Sequence, residues 1–184
     1  IDGSTVTDVL GNSAPYVAHK DNFKNFYKTG VNSQSSISLS GKNTNGNFRL
    51  GVTNVNSSEV VPKAGTEQQG INFNSNYNLT PQLHLSFTAS YMHEKVKNRP
   101  WNSDAPGSVI ASTYFLASTF DVRTLNPSAD ANGDEILPGG PTNIYFDNPY
   151  FITDYFKNTT ERDRYTGNIT LRYDFTNWLS LQGQ

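Results

Sequence analysis

The 184-residue chain is 35% hydrophobic, 12% aromatic and only 16% charged, with a formal net charge of −2. It has no cysteine, which excludes disulfide frameworks and thiolate metal sites, and no long basic run, so no nucleic-acid partner is expected. Its polarity comes from Asn, Ser, Thr, Gln and Tyr rather than from charge, and its aromatic content is too high for a disordered chain.

No apolar run approaches the roughly 20 residues of a membrane-crossing helix, and Ile1-Asp2-Gly3 does not open a signal peptide. Neither fact weighs against a membrane β-barrel, whose signal per strand is far weaker. Residues 1–27 mix Gly, Pro and Asn with Tyr16, Phe23, Phe26 and Tyr27. They read as connecting structure with a short helical turn near Asp21–Tyr27.

Alternation begins after Lys28. Val31, Ser33, Ser35, Ile37 and Leu39 share one parity, and Asn32, Gln34, Ser36, Ser38 and Ser40 the other. Successive strand side chains point to opposite faces, so a strand is expected at about 30–41. Residues 41–46 form a turn rich in residues that tolerate positive φ. Phe48, Leu50 and Val52 against Asn47, Arg49 and Thr53 then mark a return strand at 46–56. A polar loop leads to the clearest hairpin, with arms at 69–79 and 82–95. Ile71, Phe73, Tyr77, Leu79, Leu83, Leu85, Phe87, Ala89 and Tyr91 take one parity, opposite an Asn-rich face that includes His84. Thr80-Pro81-Gln82 interrupts them, since proline presets a turn dihedral and offers no amide to a ladder.

Residues 96–161 are a very long connection punctuated by six prolines, from Pro100 to Pro149, and only Ser108–Arg123 within it has helical periodicity. A last hairpin spans 163–175 and 178–184, with Tyr165, Ile169, Leu171, Tyr173 and Phe175 opposite Arg164, Asn168, Arg172 and Asp174.

Each arm of the central hairpin is about ten residues, where soluble strands average roughly five or six and a tilted bilayer crossing needs about 9–11. YNLTPQLHL (Tyr77–Leu85) and YDFTNWLSL (Tyr173–Leu181) share the recipe Tyr-x-apolar-Thr-x-x-Leu-x-Leu. Short turns alternate with longer loops, which in a meander puts all short turns on one rim, the habit of outer-membrane barrels. Tyr77, Tyr173, Phe175 and Trp178 gather on that rim as an interfacial belt would, although aromatics also favour strands in general. The expected fold is all-β: an antiparallel up-and-down meander of long strands, part of a transmembrane β-barrel with long extracellular loops. Six strands are too few to close a wide barrel, so the chain reads as a segment of something larger. The alternative is a soluble or surface β-sandwich that binds carbohydrate through an aromatic-rich loop.

Several stretches carry a resemblance: Phe26-Tyr27-Lys28-Thr29-Gly30, Gly46-Asn47-Phe48-Arg49-Leu50, Asn98-Arg99-Pro100, Asn148-Pro149-Tyr150-Phe151, Arg162-Asp163-Arg164 and the YDFTNWLSL hairpin. In this order and spacing, from about Asp2 onward, the chain resembles the early barrel of the SusC/RagA family of TonB-linked outer-membrane transporters. The resemblance implies that 1–184 is a partial TonB-dependent receptor barrel in a bacterial outer membrane, facing lipid. It implies a barrel of about 22 strands around an N-terminal plug. It also implies energy from the TonB system through a plug region that these residues lack, a SusD-like lipoprotein as lid, and oligosaccharide or peptide cargo. This segment alone is not expected to transport anything.

Within the long loop, aromatics interleave with Asp and Asn, the chemistry that stacks on sugar rings and takes their hydroxyls. Trp101, Tyr145, Tyr150 and Tyr155 are the candidate ligand contacts. The competing reading gives these rings to a small core within the loop or to its lid protein. Arg49, Arg164 and Arg172 share the polar parity and are expected to line the lumen, pairing with plug or neighbouring-strand carboxylates. Asp130, Asn132 and Asp134 place oxygens as a calcium loop begins, but Gly133 stands fourth and Pro141 replaces the bidentate Glu. A solvated acidic turn is expected there instead. His19, His84 and His93 lack metal-like spacing, and no nucleophile elbow, HExxH or P-loop is present. Neither an enzyme nor a cofactor is expected.

Overall fold

The alternation becomes a sheet in a computed structural model that describes residues 1–7, 11, 13–101, 107–140 and 145–184. Strands β1 (Thr5–Thr7) and β2 (Ser13–Pro15) pair only with each other, a small hairpin inside a segment expected to be connecting structure. Then β3 (Val31–Lys42), β4 (Gly46–Ser58), β5 (Gly65–Asn78), β6 (Leu83–Lys97), β7 (Thr160–Thr176) and β8 (Leu179–Gly183) form one six-stranded meander in chain order. Strands β3 to β7 are 12 to 17 residues long, well beyond the usual five or six or so. The fold is mostly antiparallel β with a few short helices.

Two strands start earlier than the apolar alternation marks. β5 opens at Gly65 rather than 69, and β7 at Thr160 rather than 163. The reason is chemical. Glu67, His93, Lys95, Glu161 and Asp163 keep the parity of the apolar face while replacing its hydrophobic members with polar ones, so backbone pairing outlasts the hydrophobic pattern.

The shared hairpin recipe has a physical basis. Thr80 Oγ1 accepts from the amides of Gln82 (3.3 Å) and Leu83 (3.0 Å), and Thr176 Oγ1 from those of Trp178 (3.4 Å) and Leu179 (3.1 Å). In both turns the threonine hydroxyl holds amides that the ladder leaves open. Asn43 does the same at the first turn, its Oδ1 accepting from Asn45 and Gly46 amides at 2.9 Å. These three connections leave one end of the strands, and the connections 59–64 and 98–159 leave the other.

The chain divides into two compact units: Ile1–Val31, Ser58–Gly65 and Val96–Thr159 form one, and Asn32–Ser57, Thr66–Lys95 and Thr160–Gln184 the other. The second unit is the sheet. The first is built from the connections and contains the hydrophobic core: Phe26, Val61, Ala64, Val109, Val122, Leu125 and Ile152, with Tyr27, Leu116, Phe120 and Tyr150 packed against them. Three segments far apart in sequence supply that core.

Helices α1 (Asn22–Phe26), α2 (Val109–Tyr114) and α3 (Pro149–Tyr155) and a 3-10 turn at Val122–Leu125 carry the core residues other than Val61 and Ala64, which come from the connection between β4 and β5. The helix expected over Ser108–Arg123 is realised only over its first part. Ser108 caps α2, accepting from the Ala111 amide (3.3 Å), whereas Asp121 accepts from the Arg123 amide (3.0 Å) and starts a separate turn. Two N-caps within one periodic stretch break it in two. α3 was not anticipated, although Asn148-Pro149 is a start signal, an N-cap followed by proline at the first helical position.

Candidate functional site

The sheet unit presents two unlike faces. On one, Phe48, Phe73 and Phe87 form a row across β4, β5 and β6, with ring centroids 6.4 and 5.9 Å apart. Ile37, Leu39, Val52, Ile71, Ile169, Leu171, Tyr173 and Phe175 continue it, and all are solvent-exposed, Ile37 by 80%. No residue of Asn32–Ser57, Thr66–Lys95 or Thr160–Gln184 belongs to the hydrophobic core. The opposite face carries a relay near the short turns: Asn78 Oδ1 meets His84 Nδ1 (2.6 Å), His84 Nε2 meets Asp174 Oδ2 (3.1 Å), and Arg172 Nε donates to Asp174 Oδ1 (2.8 Å). Ser86 donates to Asn76 Oδ1 (2.8 Å).

Arg172 pairs within its own strand. Arg49 lies with Ser36, Ser38, Thr53, Asn72 and Asn74 around a polar depression of the same face. Among the described residues, Arg49 and Arg164 have no carboxylate partner; the arginine that approaches a carboxylate across strands is Arg162, 4.0 Å from Glu94.

At the end of the sheet from which the longer connections leave, the apolar face ends in a polar network. Asp163 Oδ1 accepts from Tyr91 OH (2.7 Å) and from His93 Nδ1 (3.0 Å), and Lys95 pairs with Glu161. The Tyr91 and Tyr165 rings stack with centroids 4.8 Å apart. Reading the sequence for apolar residues missed this network. The available signal was strand parity continuing after hydrophobicity stopped. His93 thus stands on the apolar face and His84 on the polar one.

In the unit built from the connections, the four candidate aromatics do not converge. Tyr150 is half-buried and packs edge-on against Phe26 (5.0 Å), so it serves the core. Tyr155 is exposed and stacks on Phe151 (4.4 Å). Tyr145 is exposed beside Phe146, which stacks on Phe115 (4.8 Å). Phe115 and Phe146 border an apolar depression of about 160 Å³ together with Leu116, Phe120 and Pro138. Trp101 is exposed.

Asp130 Oδ1 accepts from the amides of Asn132 (2.8 Å) and Asp134 (2.9 Å), and the Asp130 amide donates to the Asp134 carbonyl (2.8 Å). One oxygen of this carboxylate therefore closes a tight turn. Pro141, named in the calcium spacing, lies outside the described residues. Among the described residues, no group of three or more His, Asp or Glu is placed to hold a metal ion.

Electrostatics ties the first segment to the long connection. Arg123 beside Asp121 holds that carboxyl below the usual range, against partial burial, with His19 at 3.6 Å adding to the effect. Burial pushes Glu135 upward, although it accepts a hydrogen bond from the Asn148 amide. Asn22 bridges to the same region, donating to the Phe120 carbonyl (2.7 Å) and accepting from the Val122 amide (3.1 Å).

No protein-family model matches the chain, and no curated protein sequence matches it.

Proposed function

We propose that this chain is a membrane-spanning part of a SusC/RagA-type outer-membrane β-barrel, in a transporter that takes up oligosaccharides or peptides. In this reading a SusD-like lipoprotein closes the outer side, the TonB system supplies energy, and the polar face with Arg49, Arg164 and Arg172 lines the lumen. The observation that carries it is the separation of core from sheet. The long strands expose a continuous apolar face, while the buried core is built by the connections. Soluble proteins rarely leave so large an apolar surface bare, whereas lipid covers it at no cost.

The dimensions agree. From Tyr165 to Phe175 the apolar parity of β7 runs for ten steps of about 3.3 Å, and a tilt near 40° leaves roughly 25 Å along the membrane normal. That is about the height of the apolar band on an outer-membrane barrel. Charged side chains appear on this face only beyond Tyr91 and Tyr165.

The chain has no cysteine, so single cysteines introduced into it carry spin labels at defined positions, in membranes holding the intact protein with any cysteine outside these residues replaced. Labels at Ile71, Phe87 and Ile169 are expected to be relaxed by oxygen, which partitions into lipid, and labels at Asn72, Thr88 and Thr170 by a water-soluble nickel chelate. A soluble sandwich predicts that the first set is shielded from both. That result would overturn the barrel reading.

A further inference from the structure

We propose that the charged end of the apolar face, formed by Tyr91, His93, Lys95, Glu161, Asp163 and Tyr165, docks the hydroxyl-rich headgroup of a sugar-headed membrane lipid. The inference rests on the barrel reading and adds to it a lipid class and a place. All six residues belong to one unit and one face, continuous with the band that meets lipid chains. Charged side chains on a lipid-exposed face are tolerated only at headgroup depth, so this network marks where the hydrocarbon ends.

Its chemistry selects among headgroups. Tyr91 holds one face of the Tyr165 ring, yet Tyr165 remains 76% exposed, which leaves an aromatic platform open to the membrane surface. Beside it, Asp163 uses Oδ1 for both Tyr91 and His93. Its Oδ2 has no partner among the described residues, nor has His93 Nε2. A free carboxylate oxygen and an imidazole nitrogen flanking an exposed ring fit a sugar, whose C–H face stacks while its hydroxyls donate and accept.

Lys95 is paired with Glu161 and also feels the charge of Glu67, so carboxylates outnumber the ammonium group at this end of the face. It therefore disfavours a bare phosphate and suits a neutral polyol. The opposite end of the band has Tyr173, Phe175, Trp178 and Leu179 and no comparable charged cluster on that parity, so the site belongs to one leaflet.

The test places the intact protein in nanodiscs containing equal amounts of phosphatidylethanolamine, phosphatidylglycerol and diglucosyl diacylglycerol, with native mass spectrometry reading which lipid stays bound. The glucosyl lipid is expected to be enriched. Tyr165→Ala and Asp163→Asn are each expected to reduce that enrichment about fivefold, with Tyr165→Phe and the far-end Phe175→Ala leaving it unchanged. Equal retention of the three lipids, preference for phosphatidylglycerol, or enrichment that survives both variants overturns the proposal. The spin-label pattern at Ile71 and Asn72 reads the barrel independently. If that pattern holds without glucosyl-lipid enrichment, only the headgroup site falls.

Discussion

Asn148 Nδ2 donates to the Leu125 carbonyl oxygen at 2.9 Å, and neither residue has any solvent exposure. The same amide nitrogen donates to the Ile136 carbonyl (2.9 Å), and Asn148 Oδ1 accepts from the Tyr150 (2.9 Å) and Phe151 (3.4 Å) amides at the start of α3. One buried side chain therefore joins the 3-10 turn, the strand-like stretch at 136 and a helix. Asn148→Ala removes an N-cap and orphans one buried and one half-buried carbonyl, which is expected to cost about 2–4 kcal/mol. Hydrogen exchange in the intact protein checks this. Amides of α3 and the 3-10 turn should exchange some tens- to hundreds-fold faster, while those of β5 and β6 stay unchanged.

The pH response of the same unit has two opposing limbs. Asp121 is held low by Arg123, so its contribution is present above the ordinary aspartate range near 3.9 and is lost as pH falls through the depressed value. Glu135 is raised by burial, so its contribution is present below the ordinary glutamate range near 4.3 and is lost as pH rises through the elevated value. Exchange protection followed against pH should show Asp121→Asn abolishing the acid-side loss and Glu135→Gln flattening the loss on the rising side. Unchanged profiles in both variants would contradict the assignment.

Two glycines on β4 separate backbone from side-chain crowding. A Cβ on Gly46 would lie 2.3 Å from the Asn76 carbonyl oxygen and 2.9 Å from the Tyr77 Cα, whereas one on Gly51 meets the Asn72 side-chain amide, which can rotate. Gly46→Ala is expected to force β4 and β5 apart at about 1–3 kcal/mol, with Gly51→Ala close to neutral. Urea unfolding of the intact protein carrying each substitution distinguishes them.

A charge scan tests whether the apolar face meets lipid. In the barrel reading Phe73→Lys sits near mid-membrane and costs about 2–4 kcal/mol, while Asn74→Lys on the neighbouring position costs little. Unfolding in lipid vesicles by urea measures both. Equal costs at the two positions would argue against a lipid-facing row at Phe48, Phe73 and Phe87.

The sheet was legible in the sequence because a strand writes its facing into every second residue. The period-two pattern at Ile71–Tyr91 and Tyr165–Phe175 needs no knowledge of distant partners. The threonine turns were legible too, since Thr80 and Thr176 act on amides two and three residues ahead. The charged end of the apolar face was legible only in part: parity placed His93 opposite His84, but Lys95 and Asp163 fell outside the hydrophobic pattern, and the bonds between β6 and β7 join residues about seventy positions apart.

The amino-acid sequence by itself determined the strands, their two faces and their turns, because side-chain direction and turn hydrogen bonding are local. Only the tertiary structure decided that Phe26, Val61, Leu125 and Ile152 share one core and that Asn148 reaches Leu125. It also decided that Tyr150 packs inward while Tyr145 stays outside. Those contacts join segments separated by many residues without a repeat, and long-range packing leaves no period in the chain.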